Sequence, residues 1–244
     1  MTFRHTLLVL IVALVAGCAG NKDLYADWSA ERFYREAKRA MRNYDYATAI
    51  KHFETLEARY PYGPYAEQAQ LEVGYAYYKD EDAASAIAAA DRFIRLHPRN
   101  EHVDYAYYLK GLASYSDDRN ILERWFTDRD ASDRDPKALR DAYEAFADLV
   151  DRFPDGRYAE DSRLRMNYLV NMLARHEVHV ARYYLARGAY VATVNRTRYA
   201  IENYPRATAI ADALAIQAEA YGKMGMSDLR DDTLRVLELN FPQS

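Results

Sequence analysis

Five times along this chain an aromatic residue or histidine is followed by proline: Tyr60-Pro61, His97-Pro98, Phe153-Pro154, Tyr204-Pro205 and Phe241-Pro242. The prolines stand 37, 56, 51 and 37 residues apart. Proline has no N–H to donate and pushes the preceding residue out of the helical region, so each pair is a helix stop. The residues ahead of each stop correspond. Five before the proline stand Leu56, Phe93, Leu149, Ala200 and Leu237; eight before, Phe53, Ala90, Phe146, Thr197 and Leu234; twelve before, Ala49, Ala86, Ala142, Thr193 and Arg230. The first three units match one another well and the last two drift. Helical periodicity runs through them, as in Ala83, Ala86, Ile87, Ala90 and Ile94, or Leu139, Ala142, Tyr143, Phe146, Leu149 and Val150. Upstream stripes are Phe33, Ala37, Ala40 and Met41, then Leu71, Tyr75 and Tyr78. Polar turns at 43–46, 79–82 and 224–227 separate the stripes, so each unit reads as two helices joined by a tight turn. A heptad coiled coil would not restart at prolines.

The pattern of Ala49, Phe53, Leu56 and Pro61, repeated as Ala142, Phe146, Leu149 and Pro154, resembles the tetratricopeptide repeat. The expected fold class is therefore all-α: an α-solenoid of about five tetratricopeptide-type helix pairs forming a right-handed superhelix. With only 9 glycines and 7 prolines in 244 residues, the chain lacks the turns that an all-β sandwich or barrel needs. The two long spacings mark insertions. One falls around Ser116–Asp135, where charge clusters and periodicity lapses; the other falls in Tyr158–Arg187, which contains no proline or glycine and is expected to be one lengthened helix. Such arrays are recognition scaffolds, because stacked pairs share a continuous core and leave an extended surface for peptides or partner domains.

The amino terminus carries a separate signal. Arg4 precedes an uncharged run from Leu7 to Val15, and small residues follow it. That is the pattern of a secretory signal peptide, too short to span a bilayer as a helix. Val15-Ala16-Gly17-Cys18 resembles the bacterial lipobox, which implies cleavage before Cys18, an S-diacylglycerol on its thiol and an acyl chain on its amine. Alanine after the cysteine, in lipoproteins of this kind, implies transport to the outer membrane, with the body facing the periplasm. The expected organisation is a signal peptide at 1–17, an acylated cysteine and linker at 18–28, repeats one and two at 29–98 and repeats three to five at 99–242.

Charge and motif content exclude several classes. A formal charge of −4 leaves no footprint for a phosphate backbone, so no nucleic-acid partner is expected. The single cysteine excludes a disulfide framework. His176 and His179 stand three apart rather than four, with no evident third ligand, and the stretch from Asp128 has Asp133 and Leu139 where a calcium loop needs Gly and Glu. No cofactor or metal is expected. Nucleophile-elbow, phosphate-loop and dinucleotide motifs are absent, so nothing supports an enzyme.

Arg59-Tyr-Pro-Tyr-Gly-Pro-Tyr65, Tyr75-Ala-Tyr-Tyr-Lys79, Asp91-Arg-Phe-Ile-Arg-Leu96, Ser132-Asp-Arg-Asp-Pro136 and Gly188-Ala-Tyr-Val-Ala-Thr-Val-Asn-Arg196 closely resemble the BamD family, lipoproteins of the outer-membrane β-barrel assembly machinery. The resemblance implies a non-enzymatic subunit whose first repeats receive the carboxy-terminal targeting strand of unfolded barrel precursors. Its later repeats would dock on the BamA-type barrel subunit and hold other assembly lipoproteins. Tyr60, Tyr62, Tyr65, Tyr75 and Tyr78 are the candidates for the precursor strand, since tyrosine combines apolar area with a hydroxyl at small rotamer cost. Plain inter-helix packing is the competing reading for Tyr75 and Tyr78, and turn closure for Tyr60. Arg196 is the candidate contact to the barrel subunit, by bidentate grip of a carboxylate, against a solvated surface arginine. Asp133, Arg134 and Asp135 either order the inserted loop or touch a partner. Two other functions stand beside this one: a periplasmic repeat lipoprotein scaffolding cell-wall synthesis, and an envelope hydrolase subunit.

Overall fold

The computed structural model describes residues 25–116 and 136–242. Ten helices occupy them: α1 (Ala30–Arg42), α2 (Tyr46–Arg59), α3 (Pro64–Lys79), α4 (Ala83–Leu96), α5 (Val103–Ser116), α6 (Pro136–Arg152), α7 (Ala159–Ala186), α8 (Tyr190–Asn203), α9 (Ile210–Lys223) and α10 (Ser227–Asn240). Each packs on the next, and α1 on α3, α3 on α5 and α7 on α9 also touch, as stacked helix pairs in a solenoid require.

The proline stops act at the backbone as the spacing predicts. The residue before each proline donates its N–H to the carbonyl of the apolar residue five before that proline: Tyr60 to Leu56, His97 to Phe93, Phe153 to Leu149, Tyr204 to Ala200 and Phe241 to Leu237, each at 2.8 Å. Tyr60, His97, Tyr204 and Phe241 then leave the helix with φ between −136° and −127° and ψ between 46° and 70°, outside the α region that a following proline disfavours.

Within four of the pairs, the turn between helices is a Schellman closure. Asp45 N–H reaches Ala40, Asp82 reaches Tyr77, Ala189 reaches Tyr184 and Met226 reaches Tyr221, all five residues back. The residue before each donor is left-handed: Tyr44 (φ 61°), Glu81 (φ 66°), Gly188 (φ 72°) and Gly225 (φ 74°). In the first two pairs Asp45 and Asp82 then cap the next helix by accepting from Thr48 N–H and Ser85 N–H.

Among the described residues three apolar clusters result, two large and a small one at Val194, Ala220 and Tyr221. Phe33, Phe53, Leu56, Ala69 and Val73 belong to the first, built from α1 to α4. The second joins α6 to α9 through Leu139, Phe146, Leu169, Met172 and Ile210, with Tyr108, Leu112 and Tyr115 of α5 packed against it. Phe53 and Phe146, at corresponding repeat positions, are fully buried, each contributing about 1.5–3 kcal/mol of transfer free energy. At the same position the fourth unit has Thr197, whose buried hydroxyl donates back to the Thr193 carbonyl. The helix thus satisfies internally what the core cannot.

The long helix expected at Tyr158–Arg187 is α7, 28 residues. The insertion expected at 116–135 lies, but for Ser116, outside the described residues. On α3 the buried stripe differs from expectation: Ala66, Ala69, Val73 and Ala76 are interior, while Leu71 and Tyr78 are half-buried and Tyr75 is exposed. Small residues win that face because α3 sits between two neighbours at close approach; a Cβ on Gly74 would stand 3.1 Å from Leu109.

Candidate interaction surfaces

The five tyrosines do not form one cluster. Tyr60 caps the end of α2 and turns its hydroxyl to donate to the Trp28 carbonyl at 2.7 Å, pinning the chain that leads into α1. Tyr62 stands in the following turn, 90% exposed. Tyr65, in the first turn of α3, packs its ring against Tyr34 of α1 at 5.6 Å between centroids. Tyr75 and Tyr78 lie together farther along α3, 6.4 Å apart. Ten residues of helix put Tyr75 about 15 Å beyond Tyr65.

Tyrosines not singled out above tie neighbouring odd-numbered helices into a polar seam. Tyr34 donates to Glu72 of α3 at 2.7 Å, and Lys38 grips the other oxygen of that carboxylate at 2.5 Å. Burial, reinforced by the Glu72 hydrogen bond, pushes the Tyr34 phenol above its ordinary range. On α5, Tyr105 is also driven upward, chiefly by burial and then by Tyr75 and Tyr158 beside it. Tyr108 stacks on Tyr158 at 4.7 Å and donates to Asp161 of α7 at 2.6 Å. Asp161 also accepts from Arg165 Nε at 2.6 Å. Burial opposes its charge, but these two hydrogen bonds outweigh burial and hold the carboxyl below the usual range. Arg182 to Asp212 at 2.6 Å continues the ties from α7 to α9. The sequence did not single out Tyr34, Tyr105 or Tyr108; the carboxylate partners of Tyr34 and Tyr108 lie 38 and 53 residues away, beyond any local pattern.

Arg196 projects from α8 and donates to Oε2 of Glu177 on α7 at 3.1 Å. The carboxylate is interior, with Glu177 only 5% exposed, whereas 45% of the Arg196 side chain remains open. Arg196 therefore neutralises a buried charge with one edge and presents the rest to solvent.

Farther along, the last helix is thinly covered. Only Thr233 of α10 is buried, and Leu229, Leu234, Val236 and Leu239 are exposed. A cleft of about 530 Å³ lies between α9 and α10, lined by Ala215, Ala218, Gly222 and Leu234 with Glu219, Lys223 and Arg230 at its edges.

Cys18, the signal segment, Asp133, Arg134 and Asp135 lie outside the described residues. His176 and His179 both fall on α7, and among the described residues no group of three or more His, Cys, Asp or Glu is arranged to hold a metal ion. No described helix is long and apolar enough to cross a membrane.

The family model described as an outer membrane lipoprotein, YfiO, matches residues 26–236. The chain is 47% identical over 224 residues to the outer membrane protein assembly factor BamD of Neisseria meningitidis serogroup A, covering 92% of this chain and 84% of that protein. It is 47% identical over 239 residues to the factor of the same name from Neisseria gonorrhoeae, covering 97% and 89% of the two chains. With that of Vibrio cholerae it shares 38% over 232 residues, covering 95% and 96%. Among solved structures it is similar to the MamA protein at a TM-score of 0.36 and 15% identity, over 86% of this chain and 90% of that one.

Proposed function

The chain belongs to the YfiO family of outer-membrane lipoproteins, and from that premise we propose that it is an outer-membrane protein assembly factor. It would serve as a non-catalytic subunit of the complex that folds and inserts β-barrel proteins. The observation that carries this reading is that relatives so named match along nearly the whole helix array, 95% of this chain and 96% of the relative in one case. What is shared is therefore the complete scaffold rather than one repeat.

The finer roles follow from the surfaces. Cys18 carries the lipid, which holds the body at the periplasmic face of the outer membrane. Tyr62 is the first-ranked contact for an extended precursor strand, because its ring is committed to nothing in the fold. Tyr75 and Tyr78 offer a second aromatic pair farther along α3; Tyr60 and Tyr65 serve mainly to fix the first repeat. In the later repeats, the open edge of Arg196 suits a carboxylate of the BamA-type barrel subunit. The apolar residues left uncovered on α10 suit a docked protein, either that subunit or another assembly lipoprotein. Asp133 and Arg134 remain candidates for the same contact.

Affinity capture from detergent-solubilised envelopes tests the reading. A large β-barrel protein with periplasmic domains should co-purify, and depletion of the chain should empty the outer membrane of many barrel proteins. Altered cell-wall synthesis with normal barrels would replace this function with wall scaffolding, and hydrolysis of wall fragments by the purified protein would replace it with an enzyme subunit. Radiolabelled fatty acid should attach to the wild type and not to Cys18→Ser.

A further inference from the structure

We infer that the exposed face of α1 is an electrostatic docking surface for anionic phospholipid headgroups, which orients the array on the membrane that carries its anchor. Arg32, Arg35, Arg39 and Arg42 recur at helical spacing and are all exposed. At 3.6 residues per turn they share an arc of about 80°, opposite the buried Phe33, Ala37 and Ala40. Two carboxylates flank the ridge. Glu31 stands 3.5 Å from Arg35 and Glu36 stands 3.7 Å from Arg39, at solvent-exposed or half-exposed positions. Pairs this long and wet contribute little, so the guanidinium donors stay available for phosphate oxygens. Arg32 rests on the Trp28 ring at 4.5 Å, which holds the ridge against the entering chain.

Charge along the array is polarised. With Lys38, α1 carries five basic side chains against Glu31 and Glu36, whereas α10 carries Arg230 and Arg235 against Asp228, Asp231, Asp232 and Glu238. The chain as a whole is at −4, yet its first helix is positive and its last negative. At physiological salt only charges within about 8 Å of a surface feel it strongly, so an anionic leaflet attracts the α1 end and repels the α10 end.

The first helix is also the end nearest the anchor. Arg59 donates to the Tyr25 carbonyl at 2.7 Å and Tyr60 to that of Trp28, so the chain is fixed to the first repeat from Tyr25 onward. Six residues lie between Cys18 and Tyr25, seven steps of chain that reach at most about 25 Å when extended. This proximity rests on the acylation of Cys18 proposed above; the ridge and its charge do not. Because a fully acylated cysteine already retains the protein, the ridge sets orientation rather than residence. An acidic protein segment would satisfy the same guanidinium groups, but the short tether favours the headgroups.

Unacylated Cys18→Ser chain, otherwise intact, tests the ridge separately from the anchor. It should co-sediment with vesicles of phosphatidylcholine and phosphatidylglycerol, bind phosphatidylcholine alone at least tenfold less, and dissociate as salt approaches about 1 M, where screening acts within about 3 Å. The R32Q/R35Q/R39Q/R42Q variant should lose on the order of tenfold or more in partitioning, since each arginine near an anionic surface contributes roughly fivefold. R230Q/R235Q, which removes charge from the far end, should leave partitioning unchanged. Equal binding to neutral and anionic vesicles, or equal loss from the two variants, would overturn the inference. So would a quadruple variant that binds anionic vesicles like wild type but loses a co-purifying periplasmic protein. Should the quadruple variant misfold, hydrogen exchange on the wild type decides: anionic vesicles should protect α1 and not α10. Loss of fatty-acid labelling at Cys18 with vesicle binding intact would sink the anchor and spare the ridge.

Discussion

Arg196 holds the buried carboxylate of Glu177 across the α7–α8 interface at 3.1 Å, so one arginine joins the interior of the fold to its candidate docking surface. Removing it strands an interior charge. Arg196→Ala should cost about 1–3 kcal/mol in urea denaturation, below the 3–5 of a fully buried pair because the guanidinium is half open to water. Arg196→Ala with Glu177→Gln should recover most of that loss. A docking assay on the double variant separates contact with the barrel subunit from damage to the fold. If the single variant is as stable as wild type, the pair is structurally idle.

His52 makes stability depend on pH. It is 6% exposed among Tyr25, Trp28 and Phe33, with ring centroids 5.4–6.2 Å away, and its Nδ1 has no hydrogen-bond partner. Burial lowers its pKa, Lys51 adds to that, and Glu36 and Asp45 oppose it. The unfolded chain therefore takes up the proton first. Stability should fall as pH drops through about 6.5, the unfolded value, until the folded imidazole also protonates. Denaturation curves at pH 7.5 and 5.5 should differ more for wild type than for His52→Gln; equal differences would contradict the assignment.

Left-handed Glu81 carries a backbone cost that Gly188 and Gly225 avoid at the equivalent turns. Glu81→Gly should raise stability by about 0.5–1 kcal/mol, since the left-handed strain exceeds the added freedom of the unfolded chain. Gly225→Ala should lose about 1 kcal/mol by the same argument. Thermal melts of the two variants should move in opposite directions.

At Gly111 the requirement is space rather than φ. A Cβ there would stand 2.5 Å from the Phe146 ring, where α5 crosses α6. Gly111→Ala should destabilise by about 1–3 kcal/mol through overpacking, and a compensating Phe146→Leu should return part of it. Additive losses in the double variant would show that the two sites do not share this contact.

Tyr60 and Tyr62 should separate structure from recognition. Tyr60→Phe removes the hydrogen bond to Trp28, costing roughly 1 kcal/mol and speeding proteolysis of the segment ahead of α1. Tyr62→Ala should leave the melt unchanged while weakening crosslinks to a carboxy-terminal barrel-precursor peptide. Unchanged crosslinking would remove Tyr62 from the binding surface.

Local chemistry made most of the fold legible. Every aromatic-proline stop recurs as the same capping hydrogen bond, because a missing N–H and a forbidden φ/ψ region act on the residue itself wherever it sits. The turns and the lengthened α7 follow for the same reason. The candidate surfaces were less legible. Tyr60, Tyr62, Tyr65, Tyr75 and Tyr78 are chemically alike, and only the packing of α1 against α3 and of Trp28 against α2 sorted them into a strut, an open ring, a packed ring and a pair. Likewise Arg196 stood out in the sequence only as a docking candidate, and its bond to Glu177 depends on where α7 and α8 meet.

By itself, then, the order of residues determined the helices, their ends and their pairing, consequences of interactions within a few residues. Tertiary structure alone decided which tyrosines are spoken for, which carboxylate Arg196 must neutralise and that α1 turns a row of arginines outward. Those outcomes depend on distances between segments 19 to 53 residues apart, and such distances exist only once the helices stack.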